Sequence, residues 1–491
     1  MAYIISVDQS TQSTKALLFQ EDGTLLASSA LSHAQIYPRE GWVEHDPELL
    51  YANTVAVIRD VVEKSGYINE SCSLALTNQR ETVIVWNRLT GKPVTNAVVW
   101  QCLRGKDICD KLKAEGNNAL VKERTGLLID PYFSASGVKW ILDNVDGARA
   151  AADRGDLLMG TVECWLIWKL TGGKVHATDY TNASRTLLFN VHTLDWDADM
   201  LRLFTIPASM LPEAKPCDAV FGETTVDGLF ESPIRIAGVL GDSHGALVGQ
   251  MCFTEGLGKA TYGTGSSVMV NIGEKYADAP EGLVTSVGFA ALGKVFYAFE
   301  GNIHCTGATI TWLKDRLGLI AGAGEIEAVA TSVPDNGGVY FVPAFAGLGA
   351  PWWHPEVKAQ ISGLSLGSTR AHVCRAALES IAFQVTDLVK AMTDSAGIAL
   401  KEIRVDGGPT RNAFLMQFQS DLLQVPVVRS EVEDASAFGA FVMNGFARGK
   451  WSSFEQAASV WNGEKPVLPQ PYEGVADNYK GWQAAVRQLI K

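Results

Sequence analysis

The sequence predicts an α/β protein of two domains, and three observations lead to this prediction. The chain has 491 residues, which is too long for one hydrophobic core, so two domains are expected. Short β-prone runs alternate with longer segments of helical apolar spacing. A polar turn between two β-prone runs occurs in each half, at residues 8–15 and 262–267. We therefore expect two similar α/β domains, residues 1–245 and 246–491, each offering one turn to a shared cleft.

Three β-prone runs open the chain, at residues 3–7, 16–19 and 25–30. The turn between the first two is entirely polar, with Asp8 at the end of the first strand and Lys15 at the far end. One interpretation is a solvated hairpin loop. The other is a phosphate clamp, in which hydroxyls and backbone amides bind phosphate oxygens, Asp8 binds a metal ion and Lys15 is the counter-charge.

A helix is predicted to begin at Pro47, with Asp46 as its cap. Its expected buried side consists of Leu49, Leu50, Val55, Ile58, Val61 and Val62. The next strand, residues 74–77, is followed closely by Arg80 and Glu81, an unusual pair so near a strand end. The pair is either a surface ion pair or a grip on a hydroxylated substrate, with Arg80 donating and Glu81 accepting.

The middle of the chain contains the strongest candidate for a reactive site. A mostly apolar run at residues 234–240 ends in Gly241 and Asp242, and a Gly-Thr-Gly turn follows at residues 263–265. A carboxylate at the tip of a buried strand, with a turn whose backbone amides face an anion, is typical of a phosphate-handling cleft. Earlier, a short strand ends at Trp100, and a turn at residues 130–133 offers exposed aromatic side chains.

The second half continues the same alternation. Strands are predicted at residues 296–298 and 338–343. Helices are predicted at residues 301–317 and 371–391, and the first of these contains Gly307. Residues 403–406 form a strand that leads into Gly407 and Gly408 and then a helix start at Asn412. A strand, a glycine turn and a helix N-terminus allow a nucleotide phosphate or base edge to approach the backbone closely.

Composition and charge exclude several classes of protein. The net charge is −13, and the chain has no run of five Lys or Arg residues, which argues against nucleic acid or an anionic membrane as the main partner. The eight cysteines form no CxxC pair, as expected for reduced thiols in the cytoplasm. The N-terminus lacks the pattern of a signal peptide, and no apolar run approaches the ~18–20 residues of a membrane span.

Common nucleotide-binding motifs are absent from the sequence. Residues 288–294 nearly match a P-loop, but the terminal Ser or Thr is missing and a strand-like run follows in place of the required helix. There is no protein-kinase HRD or DFG set. There is also no G-x-G-x-x-G in a βαβ setting, which disfavours a nicotinamide-dependent polyol dehydrogenase.

Several long motifs follow one another along nearly the whole chain. They are residues 8–11, 41–47, 77–82, 99–102, 179–185, 241–242, 262–265 and 405–408, with a further signature over residues 359–379. In sequence and in order they resemble the FGGY family of carbohydrate kinases, and most of all its glycerol kinase branch.

This resemblance implies two actin-like domains of the ribonuclease-H type, with ATP and Mg²⁺ in the cleft and a small polyol as substrate. The pocket residues carried over by position are Arg80, Glu81, Trp100, Tyr132, Asp242, Ser243 and Ser267. The ATP residues are Thr11, Gln12, Ser13, Lys15, Thr264, Gly307, Thr311, Gly408 and Asn412, and the metal residues are Asp8 and Asp242. Asp242 is expected to be the base that takes the proton of the attacking primary hydroxyl.

Departures from the family pattern bear on the choice of substrate. Glycerol kinases have two glutamines after the reactive aspartate, where this chain has Ser243 and His244, and an aromatic residue where this chain has Ser267. The loss of that aromatic ring opens space for roughly one or two CHOH units. Elsewhere Gly137 replaces the usual Lys, and Lys15 replaces the usual Arg.

Three functions therefore stay open from the sequence. The first is a glycerol kinase, which converts glycerol and ATP to glycerol 3-phosphate and ADP. The second is a kinase of a larger tetritol, pentitol or pentulose, and the distant third is an actin-like ATPase switch. Arg80 and Glu81 favour glycerol, whereas Ser243 and Ser267 favour a larger substrate. A homodimer and a homotetramer are both left open, and the role of His244 is not predicted.

Overall fold

The structure is a computed structural model that describes residues 3–66, 72–432 and 434–491. Short strands occur throughout the described residues. They are β1 (Tyr3–Gln9), β2 (Ser13–Gln20), β3 (Leu25–Ser32), β4 (Glu44–His45), β5 (Cys72–Asn78), β6 (Val83–Asn87), β7 (Ala97–Val98), β8 (Leu157–Thr161), β9 (Ala177–Asp179), β10 (Phe189–Asn190), β11 (Asp195–Trp196), β12 (Glu213–Lys215), β13 (Val220–Thr224), β14 (Ile234–Gly241), β15 (Leu257–Tyr262), β16 (Ser266–Gly273), β17 (Val284–Ala291), β18 (Lys294–Ile303), β19 (Tyr340–Val342), β20 (Gln360–Ser362), β21 (Glu402–Asp406) and β22 (Val427–Arg429).

Helices separate these strands along the chain, so the predicted α/β alternation is present. They are α1 (Pro47–Ser65), α2 (Lys106–Ala114), α3 (Asn118–Thr125), α4 (Ser134–Asn144), α5 (Ala148–Asp153), α6 (Val162–Leu170), α7 (Tyr180–Ala183), α8 (Ala198–Leu203), α9 (Asp242–Gly249), α10 (Gly307–Asp315), α11 (Ile326–Ala330), α12 (Arg370–Ala396), α13 (Ala413–Leu423), α14 (Ala435–Ala447), α15 (Phe454–Ala458) and α16 (Glu473–Leu489). In the part of the chain that the structure describes, no helix is long and apolar enough to cross a membrane.

The chain divides into two compact units that interleave in sequence. The first unit consists of Met1–Met251, Thr285–Tyr297 and Asp434–Trp461. The second unit consists of Cys252–Val284, Ala298–Glu433 and Asn462–Lys491. The predicted boundary between residues 245 and 246 lies close to the first crossing, and the two segments that return to the first unit have no counterpart in the prediction.

A six-stranded sheet forms the centre of the first unit, in the order β13-β14-β5-β1-β2-β3. β1 pairs antiparallel with β2, parallel with β5, and β5 pairs parallel with β14. All seven residues of β5 are buried, as expected for a parallel strand with both faces covered. The register places Asp8 beside Thr77 and Gly241 beside Asn78, so the carboxyl ends of three parallel strands meet at one edge.

The second six-stranded sheet has the order β17-β18-β16-β15-β21-β22. β15 pairs antiparallel with β16 and parallel with β21, and β21 pairs parallel with β22. Each sheet therefore contains an antiparallel hairpin whose first strand is followed, on its other side, by two parallel strands. This shared arrangement accounts for the polar turn that occurs once in each half of the sequence.

Local sequence signals explain where α1 begins and ends. The Asp46 side chain accepts a hydrogen bond from the backbone of Glu48, Pro47 is the first helical residue, and Gly66 ends the helix with φ 69°. Most of the expected apolar side is buried, but the prediction was wrong for Leu49, which is 41% exposed. Val57, on the same face as Leu50, is buried in its stead.

Two helices of the first unit approach each other at the level of the backbone. A Cβ atom on Gly249 would lie 2.0 Å from the carbonyl oxygen of Ala435, and one on Gly439 would lie 1.9 Å from that of Gly245. Because no side chain fits at these distances, glycine is required on both α9 and α14. The contact fixes α9, and therefore the residue at its start, against α14.

Three details of the predicted elements were wrong. Gly301 and Asn302 belong to β18, and α10 begins only at Gly307, because β-prone residues continue through Ile303. The strand predicted up to Trp100 ends at Val98. Phe133, expected to be exposed, is 5% exposed; its ring packs edge-on against Tyr132.

Candidate active site

Two strand ends and the residues that follow them place Asp8 and Asp242 at one edge of the first sheet. Asp8 lies near the end of β1, and Asp242 follows β14 directly as the first residue of α9. Ligands of open α/β sheets bind at the carboxyl ends of parallel strands. The position of these carboxylates is therefore that of a ligand site.

Asp8 occupies an environment that favours a cation. Its Oδ1 atom is buried and has no hydrogen-bond partner among the described residues. Burial raises the pKa of Asp8 to about 7, repulsion from Asp242 and Asp434 acts in the same direction, and Lys15 opposes them. A buried carboxylate oxygen without a donor, close to a second carboxylate, fits a divalent cation.

The donor set fits Mg²⁺ in particular. Mg²⁺ is usually held by one or two carboxylates together with waters and substrate phosphates, without a cage made only of protein ligands. In residues 3–66, 72–432 and 434–491 there is no group of three His, Cys, Asp or Glu side chains that could hold a metal ion. Asp8 and Asp242 are the two residues that would hold the ion.

Lys15 lies beside Asp8 in the β1–β2 register and forms an ion pair with Asp434, at 2.6 Å from Nζ to Oδ1. Both side chains are about one third exposed, at 38% and 28%. Asp434 precedes α14 and was not predicted as a site residue. The available signal was a group of acidic residues within residues 431–434, before a strongly apolar helix, and nothing in the sequence connected any of them with Lys15.

Arg80 binds the carboxylate of Asp242. Its Nε donates to Oδ1 at 3.0 Å, and the Arg80 side chain is 5% exposed whereas that of Asp242 is 34% exposed. The backbone amide of Ser243 also donates to Oδ1, at 2.6 Å. Both bonds therefore end on the same carboxylate oxygen of Asp242.

The backbone around Asp242 is held by two hydroxyl groups. Ser436 Oγ donates to the carbonyl oxygen of Asp242 at 2.8 Å, and the backbone amide of Gly241 donates to Thr181 Oγ1 at 2.9 Å. Neither Ser436 nor Thr181 was predicted as a site residue. Their role is to fix the strand end and the helix start from which the Asp242 side chain projects.

Glu81 is buried and adopts a strained backbone conformation. Its φ is 63°, in the left-handed region that residues other than glycine rarely occupy. The carboxylate forms an ion pair with Arg185, at 2.5 Å from Oε1 to Nε, and both side chains are 2% exposed. Non-glycine residues in this region are concentrated at functional sites, which supports the prediction that Glu81 contacts substrate.

Trp100, which is predicted to line the substrate pocket, contacts the polar turn at residues 8–15. This turn is the predicted first phosphate turn. Its indole Nε1 donates to Thr11 Oγ1 at 3.0 Å. The Tyr132 ring lies edge-on to that of Trp100, with centroids 5.5 Å apart. The backbone amide of Trp100 donates to Thr82 Oγ1 at 3.2 Å. Two aromatic side chains predicted to line the pocket are therefore adjacent, and one of them holds a predicted ATP residue.

The predicted first phosphate turn, within residues 8–15, lies between β1 and β2. Its ends are joined by the backbone bond from Ser10 to the carbonyl of Ser13, at 2.9 Å. The carbonyl of Gln12 accepts a bond from the amide of His33 at 3.0 Å, and the Gln12 side chain is exposed. The hydroxyls of Thr11 and Ser13 and the Gln12 amide are thus presented on a short, closed turn.

The predicted second phosphate turn, within residues 262–267, lies in the second unit, between β15 and β16. Gly263 donates to the carbonyl of Gly265 at 2.8 Å, and the amides of Gly307 and Ala308 donate to the carbonyls of Gly263 and Thr264, each at 3.0 Å. The N-terminus of α10 therefore holds this turn. A Cβ atom on Gly307 would lie 2.5 Å from the Gly263 carbonyl oxygen, so the contact requires glycine.

The glycine pair after β21 divides into a structural and an open position. Gly407 has φ 96°, and a Cβ atom there would lie 2.0 Å from the carbonyl oxygen of Tyr262. A Cβ atom on Gly408 would meet nothing within 4 Å. Asn412 caps α13, and its side chain accepts a bond from Leu415. The sequence prediction selected Gly408 for ligand approach, and the geometry leaves open space at that residue.

The remaining two predicted residues of the second unit are more dispersed. Thr311 is exposed, four residues into α10 from Gly307. Ser267 belongs to β16, and its hydroxyl accepts a hydrogen bond from Lys259 Nζ at 3.1 Å. Lys259 is 1% exposed, so the serine at this position is joined to a buried cation.

Two family models match the chain. The N-terminal domain of the FGGY family of carbohydrate kinases matches residues 3–249, and the C-terminal domain of the same family matches residues 258–448. Glycerol kinase 2 of Thermotoga maritima is 48% identical over 492 residues, which cover 100% of this chain and 99% of that protein. Glycerol kinase of Shewanella woodyi is 48% identical over 490 residues, covering 99% of each chain.

Solved structures of two kinases superpose on nearly the whole chain. The crystal structure of Plasmodium falciparum glycerol kinase with ADP has a TM-score of 0.95 and 35% identity, covering 100% of this chain and 99% of that one. The ligand-bound xylulose kinase of Lactobacillus acidophilus has a TM-score of 0.89 and 20% identity, covering 99% of each. At that identity the second likeness shows the fold alone.

Proposed function

This chain belongs to the FGGY family of carbohydrate kinases, and on that premise we propose that it phosphorylates glycerol at a primary hydroxyl, giving glycerol 3-phosphate and ADP. Membership confirms the predicted actin-like α/β fold and an ATP-dependent kinase that uses Mg²⁺. The observation that carries the choice of glycerol is the full-length identity of 48% to proteins named glycerol kinase.

Asp242 is proposed as the base of the reaction. Its carboxylate is one-third exposed and oriented by Arg80 and by the Ser243 amide, both on Oδ1. A positioned carboxylate that accepts the proton of the attacking hydroxyl contributes about 10²- to 10⁴-fold to the rate. Arg80 and Glu81 hold the neighbouring hydroxyls, and their fixed positions restrict which hydroxyl attacks.

Trp100 and Tyr132 are proposed as the apolar wall of the pocket, and Ser243 and Ser267 as its variable positions. The carbon chain of a polyol lies well against aromatic rings, and the edge-on pair of Trp100 and Tyr132 offers such a surface in the first unit. A serine at residue 243 or 267 supplies a hydroxyl partner and little volume.

The nucleotide residues are proposed to act in two groups. One group lies on the first phosphate turn and on β2, the strand that follows it: Thr11, Gln12, Ser13 and Lys15. The other group lies in the second unit: Thr264, Gly307, Thr311, Gly408 and Asn412. Backbone amides and hydroxyls on such turns stabilise the charge of a transferring phosphoryl group. When bound beside Asp8 and Asp242, Mg²⁺ neutralises phosphate charge.

A larger polyol is a second candidate, and one observation favours it. At residue 267 this chain has a serine where the resemblance to glycerol kinases implies an aromatic side chain, and its hydroxyl accepts a hydrogen bond from Lys259. A tetritol or pentitol would use that added space and hydroxyl. The proposal therefore includes a panel of substrates, with glycerol as the first.

ADP release distinguishes the candidates in one experiment. The purified protein is incubated with ATP, Mg²⁺ and either glycerol, erythritol, xylitol or xylulose, and a coupled assay measures ADP. Highest kcat/KM with glycerol supports the proposal, and highest kcat/KM with erythritol, xylitol or xylulose supports the larger substrate. ADP release that does not depend on any polyol would contradict both and support an ATPase switch.

Two variants test the proposed chemistry in the same assay. Asp242→Asn should lower kcat by about 10²- to 10⁴-fold while ATP binding, measured by calorimetry, is largely retained. Asp195→Asn changes an exposed aspartate of β11 and should leave kcat unchanged. Near-normal turnover by Asp242→Asn would exclude Asp242 as the base.

Location and assembly are also proposed. The eight cysteines are buried and none forms a disulfide among the described residues, which agrees with a cytoplasmic enzyme of reduced thiols. A homodimer or homotetramer is proposed for the active protein, and light scattering coupled to size exclusion measures the mass directly. A mass of one chain at the assay concentration would reject assembly.

A further inference from the structure

His244 is a buried histidine to which the proposed chemistry gives no role. It is the third residue of α9, two positions after Asp242, and its exposed fraction is 0%. Residues two apart on an α-helix point about 200° apart around its axis. The His244 side chain therefore projects from the opposite side of the first turn of α9 from the carboxylate of Asp242.

The ring of His244 connects α9 to a distant part of the chain. Its Nε2 lies 3.1 Å from Ser286 Oγ, and Ser286 is also 0% exposed. The other ring nitrogen lies 3.4 Å from the position that a Cβ atom on Gly241 would occupy. The imidazole thus fills the space between the end of β14 and β17, with a polar contact to β17.

Ser286 is a rigid partner because its neighbours in sequence are bonded to the first unit. The backbone amide of Thr285 donates to the carbonyl of Gly126 at 3.0 Å, and that of Val287 donates to Ser184 Oγ at 3.3 Å. Thr285 is also the residue at which the chain enters the first unit from the second. The hydroxyl that His244 contacts therefore lies on a strand fixed at both neighbouring residues.

The opposite side of α9 is held by α14. Gly245 and Gly249 approach the backbone of residues 435–439, and Ser436 Oγ donates to the Asp242 carbonyl at 2.8 Å. With α14 on one side and the contact of His244 with Ser286 on the other, the first turn of α9 can neither rotate nor slide without breaking one of them.

We propose that His244 is a positioning residue for Asp242, acting through its contact with Ser286. The inference rests on the proposed function, in which the Asp242 carboxylate takes a proton. Such a transfer requires heavy atoms at about 2.6–3.2 Å, and a misplacement of about 1 Å can cost about 10²-fold in rate. Without the His244 contact, the first turn of α9 loses its polar contact to β17, and its first residue loses that accuracy.

A purely structural role makes a different prediction. A buried histidine that only fills space would lower the melting temperature when replaced and would leave the kinetics of the folded protein unchanged. The test therefore compares kcat, the KM values for polyol and ATP, and the melting temperature. It uses the polyol that the wild-type protein phosphorylates most efficiently, well below the melting temperature of every variant.

Four variants make the comparison. His244→Leu removes the polar contact, His244→Gln returns an amide nitrogen at similar reach, and Ser286→Ala removes the partner hydroxyl. Ser73→Ala is the matched control, because Ser73 is a buried serine of the first unit whose hydroxyl donates to Asn444 at 2.7 Å, beyond residues 435–439 of α14 that approach α9. Circular dichroism checks that each variant is folded before its kinetics are measured.

The expected result separates chemistry from folding. His244→Leu and Ser286→Ala should lower kcat by about 10- to 10²-fold. The KM for ATP should stay within about twofold of wild type, because ATP binding is retained and only the stabilisation of the transition state is lost. His244→Gln should recover most of the loss. Ser73→Ala should lower the melting temperature and leave kcat unchanged.

Two results would overturn the inference. One is wild-type kcat in folded His244→Leu, or in Ser286→Ala if the leucine variant does not fold. The other is an equal loss in His244→Gln and His244→Leu. Wild-type protein that releases no ADP with any polyol would instead overturn the proposed function, and this inference with it, so the two failures are distinguishable.

Discussion

Trp100 Nε1 donates a hydrogen bond to Thr11 Oγ1 at 3.0 Å, which joins a predicted substrate residue to a predicted nucleotide residue. The bond lies within the first unit, so it does not depend on the second. It indicates that a change in the pocket wall affects the phosphate turn, and the first prediction follows from it.

Trp100→Phe should weaken the use of both substrates, because it keeps one aromatic ring but removes the indole Nε1 donor that Thr11 Oγ1 accepts from. A neutral hydrogen bond contributes about 1 kcal/mol, which corresponds to about a fivefold fall in kcat/KM for ATP and for polyol. Trp165→Phe is the control, since it removes a similar indole bond, from Nε1 to the Pro47 carbonyl, in the buried core. The control should lower stability alone, and a fall confined to the polyol would contradict the prediction.

Gly241→Ala should separate Arg80 from Asp242. A Cβ atom on Gly241 would lie 2.5 Å and 2.7 Å from Cγ and Cδ of Arg80, so the arginine must move away from the carboxylate. We expect kcat/KM for polyol to fall at least about tenfold with little change in ATP binding. Gly322→Ala, where a Cβ meets nothing within 4 Å, should behave as wild type.

Gly407→Ala should affect protein stability, whereas Gly408→Ala should affect the use of ATP. At Gly407 the left-handed φ of 96° and the 2.0 Å approach to Tyr262 make any side chain destabilising, so the melting temperature of the free protein should fall. At Gly408 the space is open, so the melting temperature should stay constant while the KM for ATP rises. Equal ATP kinetics for Gly408→Ala and wild type would argue against a nucleotide contact there.

Glu163 should make the first unit less stable as pH rises. Burial, aided by repulsion from Asp179, raises the pKa of Glu163 to about 7. Between the ordinary pKa of a glutamate and pH 7, the Glu163 carboxyl group is therefore protonated in the folded state and ionised in the unfolded state. The stabilisation is present in full below the unfolded pKa and is lost as pH rises through about 7. The shift corresponds to about 3 kcal/mol.

Glu163→Gln tests this dependence, because the amide keeps the shape and cannot ionise. Thr161 and Thr178 both donate to Oε1 of Glu163, at 2.5 Å and 2.6 Å, and can donate equally to an amide oxygen. The variant should melt close to wild type at pH 5 and higher than wild type at pH 8. A difference in melting temperature that is the same at both values would contradict the assigned pKa.

Glu81→Gln should be costly for both folding and activity. It leaves the Arg185 guanidinium, 2% exposed, without its carboxylate, and the loss of one partner of a buried ion pair costs about 3–5 kcal/mol. Replacing both residues, as in Glu81→Gln with Arg185→Met, should recover part of the stability and none of the activity. Denaturant unfolding measures the first effect and the ADP assay the second.

Much of the fold could be predicted because local signals and tertiary structure agree. The hairpin turns at Asp8–Lys15 and at Gly263–Gly265 have polar residues between β-prone runs, and α1 has both a capping aspartate and a terminal glycine. The start of α10 was wrong because β18 continues through Gly301, and a glycine there gives no sign of which element it belongs to.

The partners of the site residues could not be predicted, because they come from far along the chain. Lys15 binds Asp434, Glu81 binds Arg185, and His244 contacts Ser286. Each is an ordinary polar residue in its own segment, and only the folded sheet brings the two members together. The pattern of one sequence identifies which residues have reactive groups, but it does not reveal which distant residue orients them.

The interleaving of the two units has a consequence for how the chain is made. Lys15 is synthesised 419 positions before its partner Asp434, and the first unit needs residues up to Trp461 for its last segment. During synthesis on the ribosome, the first unit therefore cannot complete its fold until almost the whole chain has emerged. Until then, the face that α14 covers stays exposed. A fragment that ends at Met251 would keep that apolar face open, and we expect it to aggregate or to require a chaperone.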